Sequence, residues 1–233
     1  MLFRSGSFTT TAKTLAQSFL SRTTLDEADD DVLVVGGKTN ITLKRTIKAD
    51  QWNTIVLPFA VPSVEALFGA DTKAAGLTSV EGNVLNFTSA NSMEANKPYM
   101  IKVATNFSSK DIDDVTLVET IKPNFTYGNV TFVGTYKKQN IPVEAYFVSD
   151  NKLYKASDAT NTIRPFRAYI TTAGTSSASE LTFVIDGNVT AIADVRSKAE
   201  GVKGNIYDLQ GRQVEESGKG VYIINGKKQI KIN

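Results

Sequence analysis

Apolar residues recur at alternate positions in short stretches of this chain, and clusters of Gly, Asn, Asp and Ser interrupt them. Side chains on a strand alternate between its two faces, so this period of two predicts half-buried strands. Val32 to Val35 end at Gly36-Gly37. Ile41, Leu43 and Ile47 mark a second strand, with Arg45 and Lys48 interspersed. Trp52 to Leu57 reads as a buried strand stopped by Pro58. Pro62 to Phe68 predicts one short helix, because Val64, Leu67 and Phe68 share a face and Gly69 suits the position after its end. Further strands are predicted at Val84 to Thr88, Tyr99 to Val103, Val115 to Glu119, Val130 to Tyr136, Ala145 to Val148, Lys152 to Lys155, Phe166 to Thr171 and Leu181 to Ile185. Many short strands at this spacing predict a mainly β protein, an antiparallel β-sandwich. Residues 32–190 are assigned to that domain, residues 1–31 to a partly flexible N-terminal extension, and residues 191–233 to a linker and a small C-terminal β-hairpin tail.

Within the tail, Asn225-Gly226 lies between two alternating runs. Both central residues of a type I′ turn need positive φ, which Asn and Gly tolerate best. A two-residue turn pairs Ile224 with Lys227, Ile223 with Lys228 and Val221 with Ile230. Val221, Ile223, Ile230 and Ile232 then share one apolar face, while Tyr222, Ile224, Lys227, Gln229 and Lys231 lie on the other, which is mostly solvated. A lone hairpin is marginal in water, so the apolar face is expected to cover something. Ile206, Tyr207 and Leu209 supply a third short strand.

Composition narrows the chemistry. The 233 residues include no Cys and no His. Disulfides, thiolate nucleophiles and iron–sulfur clusters are excluded, as are serine triads and zinc sites built on His. A net charge of +2 gives no argument for nucleic acid, and no apolar run is long enough to span a bilayer. Met1 to Arg22 has no acid and lacks the apolar core of a secretory signal.

No catalytic, cofactor or metal residues are assigned. The acidic run at Asp26, Glu27, Asp29, Asp30 and Asp31 has no calcium-loop spacing and reads as a solvated segment. Asp111 to Asp114 reads as a turn before the Val115 strand. Asp186, Asp150, Glu144 and Glu94 are available for paired-carboxylate chemistry, and nothing in the sequence makes two of them converge. Trp52, Tyr99, Tyr136, Phe166 and Tyr169 are assigned to the core. Tyr127, Tyr146 and Tyr154 lie near turn signals and are the candidate exposed ligand contacts. Arg167 is the fourth candidate, as an anion fork; its structural alternative is an ion pair with a carboxylate on the sheet. Pro98 reads as the mark of an edge strand.

The tail residues Tyr207, Asp208, Gly211 and Arg212, followed by Gly220 and Tyr222, resemble a shortened type IX secretion sorting domain of Bacteroidales surface proteins. Trp52 to Phe59, Ala95 to Tyr99, Phe132 to Tyr136 and Pro165 to Tyr169 resemble, in this order, a C-terminal module of the same secreted proteins. The resemblance implies an extracellular or outer-membrane location, with the signal peptide upstream. It implies a non-enzymatic module for adhesion, assembly or presentation, whose partner is a protein or glycan at the cell surface. A carbohydrate-binding accessory domain is the alternative.

Overall fold

The computed structural model describes residues 22–120, 122–173 and 181–192, and the strand segments 206–207, 213–214, 220–224 and 227–231. The chain divides into two units, Met1–Ser197 and Lys198–Asn233. It is mainly β, with several antiparallel sheets and, among the described residues, no closed barrel.

Two large sheets build the first unit. One is six-stranded, in the order β16-β15-β5-β4-β6-β3. It comprises β3 (Asn53–Ile55), β4 (Lys73–Glu81), β5 (Val84–Ala90), β6 (Tyr99–Lys102), β15 (Thr182–Ile185) and β16 (Asn188–Ile192). The other is five-stranded, in the order β12-β11-β14-β9-β8. It comprises β8 (Asn124–Tyr127), β9 (Val130–Thr135), β11 (Tyr146–Ser149), β12 (Lys152–Lys155) and β14 (Arg167–Thr172). Their inward faces share one core, in which Leu77, Leu85, Phe87 and Met100 meet Phe132, Leu153 and Ile170. Phe87 packs edge-on against Phe132 at 6.0 Å and tilted on Phe183 at 5.1 Å, geometries that aromatic quadrupoles favour.

A three-stranded sheet, in the order β1-β2-β7, shares a second core with Ile55, Tyr99 and Ile101 of the six-stranded sheet. Its strands are β1 (Thr23–Asp26), β2 (Gly37–Ile47) and β7 (Phe107–Leu117). Leu25, Ile41, Leu43 and Ile47 are fully buried there. Phe107 meets Phe68 of the helix α1 (Val64–Phe68) at 4.9 Å. Ser63 caps α1 by accepting from the Ala66 amide, and Gly69 ends it at φ +106°. A small ladder of β10 (Gln139–Asn140) and β13 (Thr162–Ile163) accompanies a third cluster of Ile141, Ala145, Ile163 and Tyr169.

Several expectations change. The segment read as a solvated extension contributes β1, which pairs in parallel with β2 and buries Leu25. Asp111 to Asp114 lie inside β7, and Asp114 alone takes a turn-like φ of +58°. Pro98 precedes β6, which is an interior strand flanked by β4 and β3. Pro98 therefore sits where no ladder amide is required. Val32 to Val35 alternate in burial as expected, with Leu33 at 80 % and Val35 at 64 % exposure, yet they form no strand ladder. β4, β8 and the Asn188–Ile192 strand stand where no strand was expected, the last of them at the start of the expected linker.

The second unit is a four-stranded sheet in the order β18-β17-β19-β20, formed by β17 (Ile206–Tyr207), β18 (Gln213–Val214), β19 (Gly220–Ile224) and β20 (Lys227–Lys231). Its hairpin register pairs Ile224 with Lys227, Ile223 with Lys228 and Val221 with Ile230, as the Asn-Gly turn requires.

Candidate functional site: an arginine-lined cavity

β2 carries Ile41, Leu43, Arg45 and Ile47 on its buried face, since alternate residues point the same way. Arg45 is consequently 1 % exposed, in the position of an apolar side chain. The parallel pairing of β1 sets Leu25 beside Leu43 and Asp26 beside Lys44. The next residue, Glu27, thus comes alongside Arg45.

The Glu27 carboxylate accepts from Arg45 Nη1 at 3.2 Å, from Arg167 Nη2 at 2.7 Å and from the Thr46 amide at 2.9 Å. Arg45 also donates to the carbonyls of Thr46 and Thr54. Thr54 joins β3 to the first residues of β14, exchanging hydrogen bonds of 2.9 Å with the Ala168 backbone. Burial raises the Glu27 pKa, but Arg45, the Thr46 amide and Arg167 outweigh it and hold the carboxyl below its ordinary 4.5. Burial, and then repulsion from Arg167, push the Arg45 guanidinium down to about 9 against the attraction of Glu27. It remains a cation at neutral pH.

Arg45, Arg164 and Arg167 line one cavity of about 290 Å³. No carboxylate lies in the lining, which is otherwise polar at Asn53, Ser149 and Thr162 and apolar at Ile141, Phe147 and Ile163. Glu27 is the one carboxylate bonded to any of the three arginines among the described residues. Three positive charges against one negative leave two uncompensated. The buried Nε atoms of Arg45 and Arg167 also have no hydrogen-bond partner among the described residues. Buried donors are ordinarily satisfied, so unpaired ones call for an explanation. Beside them, Phe166 is fully buried at φ +63°, a conformation costly for a bulky residue and concentrated at functional sites.

Two larger clefts lack this imbalance. In the cleft of about 690 Å³, Asp31 and Lys137 pair with each other at 2.7 Å. In the cleft of about 580 Å³, Asp111 and Asp113 face Arg22, and Asp114 pairs with Lys38.

The candidate contacts separate. Arg167 belongs to the cavity and also pairs with a carboxylate, that of Glu27, which lies in the turn after β1 and not on the sheet of Arg167. Tyr154 stacks on Phe147, a lining residue, with ring centroids 5.7 Å apart. Tyr127 is 42 % exposed on the opposite edge strand of the same sheet. Tyr146 is 1 % exposed; alternation turns it into the core between the large sheets, so the expectation of an exposed tyrosine there is corrected. Of the sorting-like motif, Tyr207 lies in β17, and Gly220 and Tyr222 lie in β19; Asp208, Gly211 and Arg212 fall outside the described residues. Trp52 is half-buried against the sandwich core. Glu94 pairs with Lys97 at 2.7 Å, Glu144 pairs with Lys155, and Asp186 accepts from Ser89. Among the described residues no group of three or more His, Cys, Asp or Glu is placed to hold a metal ion, and no helix is long and apolar enough to cross a membrane.

Glu27 and Arg45 were not singled out from sequence. The signal for Arg45 was present, since a period of two from Ile41 and Leu43 passes through position 45. Comparison with protein-family models, curated proteins and solved structures finds no match for this chain.

Proposed function

We propose that this chain is a non-enzymatic binding module working at the cell surface, in adhesion, assembly or presentation, and that the arginine-lined cavity holds an acidic group of its partner. The observation that carries the reading is the charge of that cavity. Its ionisable lining consists of arginines, which present fixed donors to an anion and do not serve as bases at neutral pH. Such a lining suits recognition better than proton transfer. The surface location rests on the resemblance of Tyr207 to Tyr222 to a sorting tail.

The carbohydrate-binding reading is favoured by one feature, the Phe147–Tyr154 stack beside the cavity. Immobilised acidic and neutral glycans, together with acidic peptides, test both readings. Retention on acidic surfaces that weakens with salt supports an anion-seeking module. Equal retention on acidic and neutral surfaces, or none at all, removes it. Secretion that persists after removal of residues 204–233 removes the sorting role.

A further inference from the structure

The cavity is too large and too apolar on one side for a bare ion. A tetrahedral oxyanion would satisfy the guanidinium groups and make no use of the apolar part of the lining, where Phe147 is half-buried beside Ile141 and Ile163. A neutral sugar would meet the apolar wall and leave two positive charges uncompensated. Both halves of the lining are used by a ring that is apolar on a face, hydroxylated at its edge and ionised at one substituent. We propose that the cavity is a binding site for a carboxylated sugar, such as a hexuronic acid residue. This rests on the reading of the cavity as an anion-seeking site.

Each group has a role. Arg167, with its side chain 32 % exposed, and the exposed Arg164 offer the carboxylate donors from the solvent side. Arg167 Nε has no partner among the described residues, and the N–H fork of a guanidinium matches a carboxylate. Arg45 lies deeper; its charge favours an anion in the cavity while Glu27 and two carbonyls keep its guanidinium in place. Phe147 gives the ring a flat apolar wall, stiffened by Tyr154 behind it. Ser149, Thr162 and Asn53 supply short hydrogen-bonding groups for hydroxyls. The size agrees, because about 290 Å³ lies at the small end of ligand sites and suits one sugar residue.

Titration calorimetry of the full chain at low salt tests this with glucuronate, its methyl ester, glucose, acetate and sulfate. Glucuronate is expected to bind about tenfold or more tightly than its ester or glucose, since a charge-assisted pair is lost. It should also exceed acetate and sulfate, which lack the ring. Arg164 makes no ion pair among the described residues, so Arg164→Gln should weaken glucuronate about fivefold or more while leaving the unfolding midpoint in place. Phe147→Ala should weaken glucuronate and leave sulfate unchanged. Equal binding of glucuronate, acetate and sulfate overturns the sugar assignment and leaves the anion-seeking module standing. Equal binding of glucuronate, its ester and glucose overturns the carboxylate. No binding of any acid overturns both this inference and the reading beneath it.

Discussion

Replacing Glu27 by Gln removes one negative charge from a place where two arginines depend on it. Arg45 is 1 % exposed, so water cannot replace the lost counter-ion. Breaking a buried ion pair by removing one partner costs about 3–5 kcal/mol, because the other charge stays buried without compensation. The Gln side chain keeps the acceptor for the Thr46 amide, which places the expected loss near the lower end, about 3 kcal/mol. For a chain of this size each kcal/mol shifts Tm by about 2–4 °C, so the midpoint should fall by about 6–12 °C. Thermal and urea unfolding at pH 7 measure this, with Asp26→Asn as the control. Asp26 pairs with the half-exposed Lys44 at 3.1 Å, and such a pair contributes under about 1 kcal/mol. Converting Arg45 to Met as well removes the stranded cation and should recover most of the loss. If Glu27→Gln and Asp26→Asn prove equally mild, the account of Glu27 as the essential counter-ion is wrong.

The same carboxyl sets an acid limit. Its folded pKa lies below 4.5, so its contribution is complete above about pH 4.5 and disappears as pH falls through the folded value. Unfolding midpoints between pH 6 and 3 should therefore fall less steeply for Glu27→Gln than for the unaltered chain. Gly134→Ala should lower stability by about 1–3 kcal/mol, seen in urea unfolding, because a Cβ there would lie 2.5 Å from the Pro123 carbonyl and 2.9 Å from Val56. Tyr136→Phe should cost about 1 kcal/mol by the same measurement, since its buried hydroxyl donates to Asn96 Oδ1 at 2.7 Å. Truncation after Ser197 should leave cooperative unfolding intact, because every ladder of the first unit is formed within it. A broad, non-cooperative transition would contradict that.

Legibility in the sequence followed how local the determinants were. The hairpin register of Val221 to Lys231 was readable because one dipeptide, Asn225-Gly226, determines it. The helix at Val64–Phe68 was readable from three apolar positions and a glycine. β4 was not, because Ala74, Ala75, Gly76 and Leu77 are buried consecutively and show no alternation. The reason is tertiary: Ala74 belongs to one core and Ala75 and Leu77 to the other, so the strand is covered on both faces, and the Tyr99 ring lies 3.1 Å from where a Gly76 Cβ would stand. Glu27 was hidden differently. Nothing in the acidic run distinguishes it from Asp26, and its partners lie 18 and 140 residues away. Arg167 was named from sequence with both its readings, and the fold pairs it with Glu27 while its Nε has no partner among the described residues. Arg45 was legible by periodicity alone and passed over because its residue type argues for a surface.

The bond from Glu27 to Arg167 spans 140 residues and joins the turn after β1, the earliest strand among the described residues, to the start of β14. On a nascent polypeptide, β1 emerges first and can pair with β2 soon after, yet its acid meets its second cation when β14 has been made. Long-range closures of this kind form late, since the entropy of the intervening loop must be overcome first. Docking of this acid thus reports the arrival of β14, and a chain arrested before position 167 would hold Arg45 bonded to Glu27, Thr46 and Thr54 while Glu27 still lacks its second cation.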